Sequence, residues 1–410
     1  MKKFVKNVGT FFDNYEFNSI KKILSSGDSL TRGKYIKIFE KKLKKKIGCK
    51  YLISTSSGSA ALELTSMCLN LKQGDEVIVQ SNSYWTAVSH LLKIGVKIIC
   101  CDIDNTLQIN IDHLKKLISK KTKAICIFHH GGNVADVTKI KNKLKIPKNI
   151  AIIEDCAHCI GSKINNKHIG HNSLMACFSF SSQKNISTLG EGGAIATNSK
   201  TIFEKLSKLK DSNCVAIEEI LKKPLISKDK ITKIESFMPL GNNLNVKYKK
   251  LISVGSNFRM SAVEAIVGIA QMNKLSSNNS KRNKIAIIYN KIISKTKFCE
   301  IIKLKKNIYN SYHQYSFFIR NLNIKKKEEL LKKLEKKGIE CKIRFSPINW
   351  YPSLRLKGCK IGGCKKCNNL KNVENIWLNS LFSLPISPHI SKHKAYKIAN
   401  TFKKELEKLI

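Results

Sequence analysis

From residue 50 to about residue 210, short apolar runs alternate with stretches whose apolar residues recur at helical spacing. Lys50–Ser54, Glu76–Val79, Val96–Cys101, Lys123–Phe128 and Ala151–Glu154 have strand length. Between them Ala60–Leu71, a stretch from Ser83 to about Ile94, Asp112–Ile118 and Val137–Leu144 carry the helical pattern. Consecutive strands joined through helices by short connections run parallel, and a parallel sheet needs cover on both faces. The fold class expected is therefore α/β, a large three-layer α/β/α domain with a mostly parallel sheet. Ligands of such sheets sit beyond the carboxyl ends of the strands.

The character changes after residue 257. A long apolar helix from Ser261 towards Tyr289 leads into His313–Ile319 and Glu340–Phe345, read as strands. Helices are expected over Glu328–Lys337 and Ser391–Leu409. This is the pattern of a smaller C-terminal α+β domain. The division expected is 1–270 for an N-terminal segment and the large domain, and 271–410 for a linking helix and the small domain. Between them, residues 211–257 are irregular and carry Pro224, Pro239 and Gly241.

One lysine stands apart. The chain carries 75 Lys and Arg against 29 Asp and Glu, and most lysines come in solvated clusters such as the stretch from Lys325 to Lys337. Lys184 instead follows an apolar and serine run, Cys177-Phe-Ser-Phe-Ser-Ser-Gln-Lys184, and precedes the glycine turn Gly190-Glu-Gly-Gly193. Upstream, the strand Ile152-Ile-Glu-Asp155 ends in two carboxylates. A lysine and an acid, each at the end of a buried strand, suggest a pyridoxal phosphate site, with Lys184 for the Schiff base and Asp155 for the pyridinium nitrogen. Thr55-Ser-Ser-Gly-Ser-Ala-Ala-Leu62 turns from a strand into a helix, where exposed N–H groups, the helix dipole and the Ser59 hydroxyl converge. The same small residues also make a plain helix cap. Trp85 opens the next helix and suits either stacking on a planar ring or a core or interface position. His129 and His130 are adjacent on a strand, so their side chains diverge and do not form a chelating pair.

The net charge of +46 invites a nucleic-acid reading, yet only six of the 75 basic residues are arginine. Base-reading sites favour arginine with interleaved aromatics. Lysine-rich drift on exposed helix faces accounts for the charge, and no nucleic-acid partner is expected. No apolar run approaches a membrane-spanning helix and no signal peptide is read. Most of the 14 cysteines lie in apolar strands, as expected of a reducing cytoplasm. Cys359, Cys364 and Cys367 have metal-like spacing but show no fourth ligand, so no metal is expected.

Taken together, the chain resembles the DegT/DnrJ-type sugar aminotransferases, pyridoxal phosphate enzymes of the aspartate aminotransferase fold. The resemblance rests on tags in one order: Leu30-Thr-Arg-Gly33, Ser57-Gly-Ser-Ala-Ala-Leu62, Gly74-Asp-Glu-Val-Ile78, Glu154-Asp-Cys-Ala-His158, Phe178-Ser-Phe180 through Lys184 to Gly193, and Gly255-Ser-Asn-Phe-Arg-Met260. It implies that Lys184 carries the cofactor, Asp155 pairs with the ring nitrogen and His158 lies beside the ring. It implies Ser59, the Ala60 amide and Ser179 at the phosphate, and Trp85 on the ring. Asn257, or Arg259, would reach the phosphate of a neighbouring subunit, because family members are homodimers with shared sites. The implied activity is amination of a nucleotide-linked keto sugar with L-glutamate as donor, for surface polysaccharides or glycoconjugates. Family dehydratases carry histidine in place of the lysine, so Lys184 points to amino transfer. A binding protein of the same fold without turnover is the competing class.

Overall fold

The computed structural model describes residue 5 and residues 8–211, 214–216, 249–251, 255–351 and 370–410. Two helices, α1 (Asn14–Leu24) and α2 (Lys34–Ile47), precede the sheet. Asp13 and Glu16 form a reciprocal capping box on α1, and Gly48, in the left-handed region, ends α2. The alternating region then runs β1 (Tyr51–Thr55), α3 (Gly58–Cys68), β2 (Glu76–Gln80), α4 (Thr86–Lys93), β3 (Lys97–Cys101), α5 (Ile111–Leu117), β4 (Thr122–Phe128), α6 (Val137–Leu144) and β5 (Ala151–Asp155). A small hairpin, β6 (Lys163–Ile164) and β7 (Lys167–His168), leads to β8 (Met175–Ser179), β9 (Gly193–Thr197) and α7 (Lys200–Lys210).

These strands form a seven-stranded sheet in the order β1-β9-β8-β5-β4-β2-β3. All neighbours are parallel except β9, which is antiparallel to β1 and β8. Alternate residues of one strand enter different cores: Val77 and Ile153 lie in one apolar cluster, Ile78 and Ile152 in another. Burial on both faces is why these strands read as continuous apolar runs, and it gives the three layers. The register levels the strand ends, with Phe128 opposite Asp155 and Asp155 opposite Cys177.

Beyond the sheet, β10 (Cys214–Ala216) pairs with β11 (Lys249–Leu251). Then α8 (Ala262–Ile293) passes through the expected boundary at residue 270. Its first half packs in the core of α2, β8 and β9, and its second half in the core of the C-terminal third. Arg282 on α8 is fully buried and donates through Nη2 to the Gly9 carbonyl. The remaining elements are β12 (Cys299–Ile301), β13 (Ile308–Tyr309), β14 (Tyr315–Ile319), α9 (Ile324–Lys336), α10 (Lys371–Asn379), β15 (Leu381–Leu384) and α11 (Lys392–Glu407). Strands β12, β14 and β15 make a three-stranded sheet, so the smaller unit is α+β.

Two local expectations change. Glu340–Phe345 is not a strand: Ile339 makes an isolated bridge to Val5, and the segment after it runs irregularly over the sheet ends. Its alternating pattern finds no sheet edge, and the Arg344 carbonyl instead accepts a bond from His130. α9 starts earlier than Glu328 because the Asn323 side chain caps it through the Lys326 N–H. The stretch with Pro224, Pro239 and Gly241, and the cysteines Cys359, Cys364 and Cys367, lie outside the described residues.

The β1–α3 turn crosses β9 at very short range. A Cβ on Gly193 would lie 2.4 Å from the Ser57 carbonyl oxygen and 2.7 Å from Thr55 Oγ1. Gly193→Ala should therefore destabilise the fold by about 1–3 kcal/mol through forced backbone movement. Urea denaturation followed by circular dichroism reads this, and an unchanged midpoint would show that the turn is not constrained as described.

Candidate active site

A cavity of about 560 Å³ lies beyond the ends of β4, β5 and β8. Gly58 and Ser59 of α3, Tyr84 before α4, Phe128, Asp155, His158, Ser179 and Lys184 line it from the large sheet. Ile343, Arg344 and Phe345 line it from the segment after Ile339. A second cleft of about 630 Å³ beside α6 collects none of these residues.

One wall is an anion cradle. Ser57 caps α3 by accepting the Ala60 N–H at 3.0 Å. Helix geometry leaves the N–H groups of Gly58 and Ser59, one and two residues into the helix, without an intrahelical acceptor. Their positive end is reinforced by the helix dipole, and the hydroxyls of Ser59, Ser179 and Ser181 border the same space. The cradle is tight: a Cβ on Gly58 would approach the Ser179 Cβ to 2.7 Å.

Asp155 ends β5, buried on the cavity floor. Its Oδ1 accepts the Ala157 N–H at 3.0 Å. Burial raises its carboxyl above the ordinary value, and the Ala157 bond and the Lys184 charge offset this only in part. The acid therefore lacks a full counter-charge. Burial also lowers the Lys184 amine to about 8, with the Asp155 carboxylate opposing and the Arg344 charge adding to the drop. An amine ready to lose its proton, a buried acid wanting a cation and a helix-end cradle are the donor set that pyridoxal phosphate requires. The residues present fit that group.

Three histidines surround the floor. His158 Nδ1 accepts the Gly131 N–H at 3.3 Å, which assigns its proton to Nε2. Its ring lies 3.9 Å from that of His313, whose Nδ1 is 3.3 Å from Asn185 Oδ1. Burial holds both His158 and His313 well below the ordinary value, and neighbouring positive charges add to this. Burial likewise lowers His130, to about 4, and this ring bonds the Arg344 carbonyl at 2.8 Å. His129 turns the other way, as its strand position requires. Its Nε2 meets Glu154 Oε2 at 2.9 Å and its Nδ1 accepts the Ala135 N–H at 3.1 Å. His129, Cys156 and Cys159 come within 4.8 Å of one another, but both His129 nitrogens are already engaged.

The structure brings Lys184, Asp155, His158, Ser59 and Ser179 to one cavity. Trp85 and Ala60 do not line it, and Asn257, expected at a neighbouring subunit's phosphate, lies apart from it. Trp85 caps α4 and does not line the cavity; Tyr84 does, with its ring 5.7 Å from that of Trp85. The Ala60 N–H is occupied by Ser57. Asn257 is exposed and bridges Asp211, which also takes Arg259 and Arg32. Tyr84, His130, His313, Arg344 and Phe345 were not anticipated. Only the paired histidines after Phe128 offered a signal in the sequence.

Among the described residues, no helix is long and apolar enough to cross a membrane. The model of the DegT/DnrJ/EryC1/StrS aminotransferase family matches residues 12–403. A GDP-perosamine synthase of Escherichia coli O157:H7 is 31% identical over 324 residues, covering 78% of this chain and 79% of the relative. The solved structure of Helicobacter pylori PseC, an aminotransferase involved in pseudoaminic acid biosynthesis, superposes with a TM-score of 0.83 at 24% identity, covering 99% of this chain and all of that one. A GDP-4-keto-6-deoxymannose-3-dehydratase, solved with a trapped PLP-glutamate geminal diamine, has a TM-score of 0.78 at 26% identity, covering 97% and 99%. The chain belongs to the DegT/DnrJ/EryC1/StrS aminotransferase family and is a pyridoxal-phosphate-dependent aminotransferase.

Proposed function

We propose that the chain moves an amino group from L-glutamate to a keto sugar carried on a nucleotide, for a surface polysaccharide or glycoconjugate. The names of the perosamine and dehydratase relatives carry GDP-linked sugars, and glutamate is held with the cofactor in the dehydratase structure. The observation that carries amino transfer rather than dehydration is Lys184, an amine with a lowered proton affinity on the cavity wall.

Pyridoxal phosphate, when bound, supplies a carbonyl carbon for the amine and a ring that accepts electrons. The roles of the chain's own groups follow from their positions. The Gly58 and Ser59 N–H groups with the Ser59 and Ser179 hydroxyls hold the phosphate. Asp155 would hold a proton on the ring nitrogen, and its buried carboxyl would stay ionised beside that cation. His158 would offer its Nε2–H to a ring oxygen. Tyr84, which lines the cavity where Trp85 does not, would cover the ring face. Lys184 Nζ carries a proton away from the donor carbon and returns it on the acceptor side. Glutamate and keto sugar take turns in one cavity, which is a ping-pong scheme.

A second copy of the chain completes the arrangement. Tyr15, Phe17, Leu24 and Ile38 on α1 and α2 are exposed apolar residues, Phe17 at 78%. Such a cluster suits burial against a partner. Asn257, or Arg259, would then reach the partner's phosphate.

The lowered Lys184 value sets a pH dependence. The neutral amine is the reactive form, so the rate at which cofactor-free protein takes up pyridoxal phosphate should rise through about pH 8 and level off above it. Stopped-flow absorbance reads the rate; a midpoint near the ordinary lysine value would refute the assignment, and Lys184→Ala should give no visible lysine-bound band. Asp155→Asn should still bind the cofactor but slow the glutamate half-reaction on the order of 100-fold or more, because the ring nitrogen loses its proton. A near-normal rate in that variant would remove Asp155 from the mechanism. Light scattering should give twice 46.3 kDa in solution, whereas a monomer at micromolar concentration would end the shared-site reading.

A further inference from the structure

Of the three tryptophans, two are built into the fold. Trp350 and Trp377 meet edge to face at 5.3 Å, and Trp350 Nε1 donates to Glu374 Oε1 at 3.1 Å. Trp377 also packs against the apolar core under the large sheet. Trp85 is held in neither way. It is 44% exposed and belongs to no apolar cluster among the described residues. The one ring it meets among them is that of Tyr84, 5.7 Å away and inclined by 55°. An indole with a free face and a wet edge suits contact with a second molecule.

Its place says which end of that molecule. Trp85 stands between two cavity residues, Tyr84 and Thr86, at the start of α4. A line of rings leads to it from the floor. Phe345 lies 5.6 Å from His158, Tyr84 lies 5.3 Å from Phe345, and Trp85 follows. His158 at the inner end is buried, whereas Tyr84 and Trp85 at the outer end are exposed.

We infer that Trp85 is the platform on which the base of the acceptor's nucleotide lies. This rests on the reading of the acceptor as a nucleotide-linked keto sugar. Such a molecule reacts at the sugar, beside Lys184. Its base is at the opposite end, beyond the sugar ring, a diphosphate and a ribose. The cavity of about 560 Å³ has to hold the cofactor and the sugar, so the base comes to its mouth. The base is the planar group of that end, and an indole face is its natural partner. The inclination between Tyr84 and Trp85 separates two duties. One ring covers the cofactor, and the other presents a differently tilted face to a base that has turned at the diphosphate. Stacking of this kind reads the flat face of a base and not its edge.

The test is calorimetric titration of the pyridoxal phosphate holoenzyme with GDP and with UDP, which carry the nucleotide end without the sugar. Loss of a stacked base predicts roughly 10-fold or weaker binding in Trp85→Ala for each nucleotide that the wild type binds, with Trp85→Phe within about threefold. The bound nucleotide should quench indole emission in the wild type and leave it nearly unchanged in Trp85→Phe, where Trp350 and Trp377 remain. The visible cofactor band reports that each variant is folded and loaded, and 2-oxoglutarate affinity should stay within about twofold. Unchanged nucleotide affinity in loaded Trp85→Ala, or an undiminished quench in Trp85→Phe, would overturn the assignment. So would a Trp85→Ala protein that light scattering shows to be half the wild-type mass, because the indole would then belong to a contact between copies. A wild-type holoenzyme that binds neither GDP nor UDP would sink the nucleotide-linked reading itself, and the platform with it.

Discussion

The site depends on a level. β4, β5 and β8 are hydrogen bonded so that Phe128, Asp155 and Cys177 lie side by side. Everything that follows these residues in the chain leaves the sheet at one height, which is how His158, Ser179 and Lys184 come to share a cavity. The pairing is unforgiving, because a slip of one residue turns every side chain to the opposite face. In β5 that would exchange Asp155 for Glu154. Glu154 now points away from the cavity, into its bond with His129, and although burial raises its carboxyl, that bond helps to hold it below the ordinary value. Two adjacent acids thus have different states because they face different neighbours.

The same floor shows how burial is used against charge. Asp155 is pushed up, Lys184 is pushed down, and His158 and His313 are kept neutral. Dehydration is the largest cause in each case. Left alone, this arrangement would be costly, since buried groups with unmet charge preferences destabilise a fold. A cationic ring beside Asp155 and an anion on the α3 cradle would relieve it. The protein is built around a molecule that it does not itself encode.

The sheet and its deepest residues were legible because they obey simple periodicities. Strands buried on both faces read as apolar runs, and strand ends mark where chemistry gathers. Lys184 was conspicuous by its neutral neighbours in a chain crowded with lysine clusters. The misses share a cause: they sit where no periodicity operates. Tyr84 and Trp85 are adjacent aromatics at a helix start, and which one faces the cavity depends on the turn before α4. The Ala60 N–H was expected to be free, but the Ser57 side chain reaches it first. Arg344 lies in a segment whose alternating pattern looks like a strand and finds no partner strand. His313 reaches the floor only because β14 of the smaller unit brings it there, a contact between distant parts of the chain that local sequence cannot announce.

The described residues ahead of α1, Val5 and 8–13, form an arm with a mechanical consequence. Val5 exchanges bonds with Gly338 and Glu340, just before the segment that bears Arg344. A few residues on, Gly9 is gripped by the buried Arg282, and Phe11 accepts a bond from Gln271. The arm is therefore stitched at one end to the roof of the cavity and along its length to the rod that supports the floor. Roof and floor can tilt but cannot part widely while those stitches hold. Tyr84 and Ser59 stand exposed at the rim of the cavity, to the side of that tie.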